Sequence, residues 1–141
     1  VRAFDFAVKP ISYGNLSLKL DRVIEYISHF IGKIIHIKTP EKTFQIALED
    51  IIYIDIYNYI LTYHTLNEKI DVTTTSLLDI EKQLINYGFF KINRSTIVNL
   101  KYIKSVKDTL VDVNGNILTL SRRRKKEFME KLTEYFGESN I

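Results

Sequence analysis

Residues 88–126, GFFKINRSTIVNLKYIKSVKDTLVDVNGNILTLSRRRKK, hold the strongest structural signal of the chain. The stretch carries ten Lys or Arg and two acidic residues, whereas the rest of the chain carries ten Lys or Arg and fifteen acidic residues. Apolar residues are interleaved with the cations, so the stretch must fold around a core rather than form a polar tail. A folded unit with a concentrated positive face is typical of a polyanion binder, and DNA is the first candidate.

The composition of the 141-residue chain fits one domain, or one domain with an appendage. Hydrophobic residues make up 45% of it, and its nine Tyr and eight Phe favour β-structure. The absence of Cys excludes disulfides, a thiolate nucleophile and a Cys-based zinc site. No apolar run approaches the roughly 20 residues of a membrane-spanning helix, and the first residues lack a signal-peptide pattern. We therefore expect a cytoplasmic protein that does not enter a membrane.

Hydrophobic periodicity divides the chain into short strands with helices between and beside them. A period near 3.6 predicts helices over 15–30, 76–87 and 124–136, and a period near 2 predicts the strands. The predicted strands are 33–37, 43–48, 50–55, 59–65, 69–73, 90–92, 96–98, 103–107, 110–113 and 117–120. The pattern predicts a mainly β fold with flanking helices, built as an antiparallel β-sandwich or as stacked small sheets, with an N-terminal amphipathic helix.

Tyrosines are frequent in the predicted strands between residues 50 and 65. Residues 56–58 separate two strands and are expected to form a loop that exposes Tyr57 and Asn58. Tyr53, Tyr57, Tyr59 and Tyr63 have strand spacing, so cross-strand packing is the expected role for all four.

Three blocks of sequence, taken in order, resemble a known family. They are residues 49–65 (EDIIYIDIYNYILTYHT), residues 76–106 (SLLDIEKQLINYGFFKINRSTIVNLKYIKSV) and residues 117–128 (ILTLSRRRKKEF). Together they resemble the LytTR-type DNA-binding domain of bacterial response regulators, to which we assign residues 32–138. The resemblance implies an elongated arrangement of antiparallel sheets that reads the major groove of DNA through loops.

Residues 3–11 (AFDFAVKPI) and the amphipathic segment after them resemble a different unit, the last strand and helix of a phospho-receiver domain. Lys9 and Pro10 match the Lys-Pro pair that contacts the phosphoryl group in that family. We therefore expect residues 1–31 to be the end of a receiver and the chain to be the effector part of a two-component response regulator. Its partner would be a cognate sensor histidine kinase. The segment is also expected to pack on the β-body or to pair with itself.

The LytTR resemblance implies three DNA-contacting loops. Arg94 and Arg123 can donate bidentate hydrogen bonds to guanine, and Asn58 can pair with adenine. Cations and hydroxyls next to them suit phosphate oxygens, which fix register without reading sequence. The full expected DNA-binding set is Asn58 with Tyr59; Asn93, Arg94 and Ser95; Lys101; and Arg122, Arg123, Arg124 and Lys125. The resemblance also implies a homodimer on promoter DNA with repeated half-sites.

Several plainer readings stay open. The cations at 122–126 could be a solvated helix start, Ser95 could cap the turn that holds Arg94, and Asn58 could be a turn former. A non-specific single-stranded nucleic-acid or RNA-binding β module is the alternative function. No metal site or cofactor is expected, since the three His are scattered. An enzyme is not expected either, since no nucleophile–base pair is visible and Asp50 and Asp55 fall on opposite faces of an ideal strand.

Overall fold

Residues 32–137 are described by a computed structural model and form ten β-strands and two α-helices. The strands are β1 (Ile34–Lys38), β2 (Thr43–Ala47), β3 (Ile51–Tyr57), β4 (Ile60–Thr65), β5 (Lys69–Val72), β6 (Phe89–Asn93), β7 (Thr96–Asn99), β8 (Ile103–Lys107), β9 (Leu110–Val113) and β10 (Asn116–Thr119). The helices are α1 (Leu77–Leu84) and α2 (Lys125–Phe136), and short 3-10 turns occupy Leu48–Asp50, Ile85–Tyr87, Leu100–Tyr102 and Arg122–Arg124. The mainly β fold class is confirmed.

The strands form three sheets, in which every pairing is antiparallel. A central five-stranded sheet has the order β5-β4-β3-β7-β6, a three-stranded sheet has the order β10-β9-β8, and β1 pairs with β2. Most neighbours in these sheets follow one another in the chain, as expected where hairpin turns connect the strands. The predicted N-terminal helix and the expected receiver remnant, including Lys9 and Pro10, lie outside the described residues.

Side chains alternate across the central sheet and give each of its faces a core. On one face Ile54, Leu61 and Ile97 pack with α1 and with Ile37 of β1. On the other face Tyr53, Phe90 and Val98 pack with the three-stranded sheet and with Phe128 of α2. The layered arrangement agrees with the predicted stacked small sheets, and it covers both faces of the central sheet.

Helix α1 is preceded by a capping serine, and its 3-10 extension is followed by a glycine. The Ser76 hydroxyl accepts a hydrogen bond from the Asp79 backbone N–H at 3.1 Å, which caps the first turn. Gly88 follows the 3-10 extension with a φ of 84°, a conformation that glycine adopts without steric cost. The prediction of a helix over 76–87 is confirmed as an α-helix that continues into a 3-10 turn.

The loop predicted at 56–58 is wrong in extent. Strand β3 continues through Tyr57, the turn consists of Asn58 and Tyr59, and β4 begins at Ile60. Pairing of Ile56 with Leu61 and of Tyr57 with Ile60 extends the ladder to the end of the hairpin. A two-residue turn is possible because Asn58 and Tyr59 both adopt positive φ, which matches the twist of antiparallel strands.

Candidate nucleic-acid interface

The first candidate segment is the hairpin tip, residues 57–60. Tyr57 is 81% exposed and Tyr59 is 88% exposed, and Asn58 is also exposed. Tyr59 lies in the turn, so the cross-strand packing expected of all four strand tyrosines is wrong for it. Tyr57 pairs with Ile60 across the strands but stays exposed, and Tyr53 and Tyr63 are buried as expected. The tip thus presents one amide and two aromatic rings to solvent.

The second segment is the turn between β6 and β7. Asn93 organises it, because its Oδ1 accepts hydrogen bonds from the backbone N–H of Ser95 at 2.9 Å and from the Ser95 hydroxyl at 3.1 Å. The Asn93 side-chain amide donates to the carbonyl of Thr119 at 2.6 Å. Arg94, at the apex, is exposed. Asn93 and Ser95 therefore hold the turn, and Arg94 is the side chain that the turn displays.

The third segment is the 3-10 turn Arg122–Arg124, which leads into α2. Arg122 and Arg123 are exposed, whereas Arg124 and Lys125 are partly buried. The Arg124 guanidinium donates a long hydrogen bond of 3.5 Å to the Lys91 carbonyl, and Lys125 Nζ lies 3.7 Å from Asp108 Oδ1. Burial of Phe128 against Phe90, with ring centroids 5.5 Å apart, anchors the helix behind the turn. The two free arginines of this segment are Arg122 and Arg123.

Backbone hydrogen bonds bring the three segments to one end of the central sheet. The Ile56 N–H donates to the Ser95 carbonyl at 3.0 Å, which joins the hairpin tip to the second turn. The Ser121 N–H donates to the Ile92 carbonyl at 2.8 Å, which joins the third turn to the second. We call this end, defined by Arg94, Arg122 and Arg123, the arginine end. Since neighbouring strands lie about 4.8 Å apart, the four strands β4-β3-β7-β6 that carry the first two segments span roughly 14 Å, and the third segment adjoins them.

Electrostatics at the arginine end favour an anionic partner. Within residues 32–137, the ion pairs are His64–Asp55, Lys91–Glu81, Lys125–Asp108 and Lys131–Glu134, and none of them neutralises Arg94, Arg122 or Arg123. Arg122–Arg124 also precede the N-terminus of α2, where positive charge opposes the helix dipole. The arrangement concentrates cations at a place where they do not stabilise the fold.

Lys101 is the one member of the expected set that the structure places elsewhere. Strand β7 runs from Thr96 at the arginine end to Asn99 at the opposite end, and Lys101 follows in the 3-10 turn Leu100–Tyr102. Its Nζ lies 5.4 Å from the centroid of the Tyr102 ring. Lys101 is therefore not grouped with the three segments.

Two residues at the arginine end were missed by the sequence reasoning. Lys107 is exposed at the end of β8, and in the turn that follows the Thr109 carbonyl accepts a hydrogen bond from the Leu120 N–H at 2.8 Å. This contact places the β8–β9 turn beside the third segment. Tyr57 was expected to be exposed and to pack across the strands, but it was not included in the expected DNA-binding set. Pairing of β8 with β9 across a two-residue turn was the signal that could have placed Lys107 there.

A histidine–aspartate contact also escaped notice in the sequence. His64 Nε2 lies 2.9 Å from Asp55 Oδ1, and the His64 ring stacks on Tyr53 with centroids 4.0 Å apart. The side chain of His64 is only 15% exposed. This pair joins β3 to β4 in the sheet behind the hairpin tip.

Metal ligands and membrane-spanning helices are two further features considered within residues 32–137. In the described part of the chain, no group of three or more His, Cys, Asp or Glu could hold a metal ion. Over the same residues, no helix is long and apolar enough to cross a membrane.

Comparison with known proteins shows what the chain is similar to. A family model described as the LytTr DNA-binding domain matches residues 41–133. The Transcriptional regulatory protein LytR of Staphylococcus aureus strain bovine RF122 / ET3-1 is 26% identical over 148 residues, which cover 91% of this chain and 60% of the relative. LytR of Staphylococcus aureus strain N315 is 33% identical over 98 residues, which cover 65% of this chain and 39% of the relative.

Among solved structures, the chain is similar to the LytTr DNA-binding domain of a putative methyl-accepting/DNA response regulator from Bacillus cereus. The TM-score is 0.61 at 21% sequence identity, and the match covers 72% of this chain and 98% of that one. At this identity the likeness concerns the fold alone. The chain spans only part of the two LytR relatives, 60% and 39% of their length.

Proposed function

Because this chain belongs to the family of LytTr DNA-binding domains, we propose that it is a sequence-specific reader of double-stranded promoter DNA in a transcriptional regulator. The observation that carries the proposal is the arginine end. Two of its segments display Arg94, Arg122 and Arg123, which make no ion pair within residues 32–137, and the hairpin tip displays an amide and two aromatic rings beside them. The strands that carry the first two segments span roughly 14 Å, which is well below one helical turn of B-DNA, roughly 34–36 Å. Segments at that spacing can reach neighbouring parts of one face of a duplex together.

Each displayed side chain has a role that its chemistry suits. Arg94 and Arg123 are exposed forks of N–H donors, and such forks bind guanine O6 and N7 in the major groove. Asn58 is exposed at the hairpin tip and can pair with adenine. Phosphate oxygens suit the remaining cations at this end, which are Lys107, Arg122, Arg124 and Lys125. Asn93 and Ser95 act as positioning residues for Arg94, since they bond to each other.

The proposal extends to the regulatory context. Residues 1–31 would be the last strand and helix of a phospho-receiver, with Lys9 and Pro10 at the phosphoryl-contacting pair, and a sensor histidine kinase would act on that receiver. The match to LytR of strain bovine RF122 / ET3-1 supports this, because it covers 91% of the chain and so extends beyond the LytTr-matching residues. Two copies would bind repeated half-sites in the cytoplasm, where linking two weak sites multiplies affinity through effective concentration.

A second candidate function is a non-specific binder of single-stranded nucleic acid. The observation that favours it is the exposure of Tyr57 and Tyr59, because aromatic rings stack on unpaired bases irrespective of sequence. The two functions differ in what competes for binding, since only a sequence-specific duplex reader discriminates between a preferred duplex and a scrambled one.

Selection from a pool of random duplexes tests the proposal. The purified chain should enrich a short motif, and binding of the enriched duplex should fall with salt at a log–log slope of about −4 per bound chain if four to five cations contact phosphates. Native mass spectrometry of the chain on duplexes with one and two copies of the motif should give one and two bound chains. Equal affinity for a scrambled duplex, or preference for single strands of any sequence, would replace the proposal with the second candidate.

A further inference from the structure

The hairpin tip carries more apolar surface than a tight turn needs. Tyr57 and Ile60 form the last cross-strand pair of β3 and β4, and Ile60 is 40% exposed. Tyr59 follows in the turn itself with 88% of its surface exposed. Exposed apolar side chains are thus concentrated within four consecutive residues at the arginine end, where the neighbouring turns display cations.

The backbone at Tyr59 is unfavourable for a tyrosine. Its φ is 68°, in the left-handed region where the Cβ of an L-residue meets the carbonyl oxygen that follows. The chain contains a direct comparison: the β9–β10 turn, Asn114 and Gly115, has φ values of 53° and 95°, and glycine occupies its second position. The same type of two-residue turn is therefore built once with the favoured Asn-Gly pair and once with Asn-Tyr. Strain of this kind gathers at functional sites.

Contacts on both sides of β3 hold the hairpin tip in a fixed position. Tyr53, Asp55 and Tyr57 alternate onto one face of β3, and His64 on β4 bonds to Asp55 at 2.9 Å and stacks on Tyr53. The Ile56 N–H bonds to the Ser95 carbonyl on the other side of β3. Both neighbours of β3 therefore fix the tip relative to Arg94, so that an aromatic contact and an arginine contact occur at a set separation.

A partner for an apolar group inside a cationic end must be anionic at its edges and apolar within. Double-stranded DNA fits this description at one point, because the C5-methyl group of thymine projects into the major groove between two phosphate backbones. We propose that Tyr57 and Tyr59 are specificity-determining residues that contact thymine methyl groups, and that the strained turn exists to present Tyr59 to them. This inference rests on the proposed function, since it requires that the arginine end faces a duplex.

The test combines a stability measurement with a binding measurement on one variant. Tyr59→Gly should raise the urea midpoint of unfolding, because glycine adopts positive φ freely. The same variant should bind the duplex enriched by the native chain about tenfold more weakly. Leu66→Ala is the matched control: Leu66 is 52% exposed, and it lies at the far end of β4. It should leave binding unchanged.

Thymine contact is tested by replacing thymines of the enriched duplex one at a time with deoxyuridine, which removes only the methyl group. At one or two positions the native chain should lose about fourfold in affinity, the factor expected for one buried methyl group. Tyr59→Gly or Tyr57→Ser should be insensitive at those positions.

Three results would overturn the inference: no position with a methyl effect, the same methyl effect in the native chain and both variants, or Tyr59→Gly that binds as the native chain does. An unchanged or lowered urea midpoint for Tyr59→Gly would overturn the strain argument. Failure of the native chain to enrich any duplex would instead defeat the proposed function, so the two failures are distinguishable.

Discussion

The two ends of the central sheet are built from the same strands but differ in what they do with polar groups. At the arginine end the exposed side chains Arg94, Arg122 and Arg123 make no ion pair within residues 32–137. At the opposite end polar groups turn inward. Asn99 is fully buried there, and the Tyr102 hydroxyl donates to the Glu49 carbonyl at 2.6 Å. The side chains of the arginine end are exposed to a partner, whereas the polar groups of the opposite end bond to one another and hold the strands together.

This division leads us to expect that the contacts that stabilise the fold and those proposed for recognition are separable. Asn99 donates to the carbonyls of Ile51 at 2.8 Å and Leu48 at 3.4 Å, and it accepts from the Lys101 N–H at 3.0 Å. These bonds fix β7 against the start of β3 without any contribution from the three segments of the arginine end. Substitutions at one end should therefore change unfolding, and substitutions at the other should change binding.

The largest expected effect is at the opposite end. Asn99→Leu keeps the approximate volume but leaves two buried carbonyls and one N–H without their partner, so we expect a loss of about 2–4 kcal/mol in the free energy of unfolding. Urea denaturation measures it, with Asn86→Leu, an exposed site, as the control. The folded protein should still prefer the same duplex. A loss below about 0.5 kcal/mol, or an altered DNA preference, would break the comparison.

The next effect belongs to the arginine end. Arg94→Ala and Arg123→Ala should each lose about 1–3 kcal/mol of preference at one base position, because a bidentate contact to guanine is removed. Titration of duplexes with single base changes measures this loss. Arg94→Lys is the matched variant: it keeps the charge but not the planar fork, so it should retain non-specific affinity and lose the preference.

The same arginine variants sharpen the comparison through stability. Their side chains are exposed and unpaired in the described structure, so the urea midpoints should stay within about 0.5 kcal/mol of the native value. If both alanine variants kept the native base preference, the assignment of these two turns to base reading would be contradicted.

A smaller effect is expected at Tyr102. Burial, then the charges of Asp50 and Glu49, raise the pKa of the Tyr102 hydroxyl, which stays protonated and donates to the Glu49 carbonyl. Tyr102→Phe should cost about 1 kcal/mol at neutral pH, the typical net value of one hydrogen bond.

The Tyr102 variant also has a pH signature with a definite sign. Above pH 10 the unfolded tyrosine releases its proton before the folded one, so the native hydroxyl loses stability as pH rises. The difference between native and Tyr102→Phe should therefore shrink or reverse in alkaline urea denaturations. Tyr57→Phe, at an exposed ring, serves as control and should show no such trend.

The smallest effect is expected at Lys101. Because this residue lies at the opposite end of β7, Lys101→Ala should leave DNA affinity within a factor of two, whereas Lys125→Ala should weaken all duplexes alike and reduce the salt slope by about 1. Salt titrations of both variants measure the contrast. A salt slope lowered equally by both would show that the duplex reaches the opposite end.

Sequence patterns predicted the scaffold well because burial dictates them. Alternation in β3 to β7 and the Ser76 and Gly88 signals around α1 reflect local chemistry, and each element lies where that chemistry demands. The turn at Asn58 and Tyr59 was misplaced because Tyr59 opposes the propensity for glycine at positive φ. The strand pairing of Tyr57 with Ile60 outweighs the conformational preference of Tyr59 against positive φ.

The candidate site was predictable only in part. Arg94 and the 122–124 arginines could be chosen from charge and from family resemblance, but their meeting at one end depends on the bonds from Ile56 to Ser95 and from Ser121 to Ile92. Such contacts join residues far apart in the chain, and no period in the sequence encodes them. The same reason explains why the position of Lys101 was not foreseen: the four residues of β7 place it at the other end, away from the three segments.

Two hydrogen bonds fix the second and third turns relative to each other. The Asn93 side-chain amide donates to the Thr119 carbonyl, and the Ser121 N–H donates to the Ile92 carbonyl. One inserted base pair rotates the duplex by about 35° and lengthens it, so two turns fixed in this way could not follow two contacted positions that an insertion had driven out of phase. Spacing inside each half-site would then be invariant in the operators of this protein, while any tolerance for variable spacing would lie between the half-sites, outside the reach of a single chain.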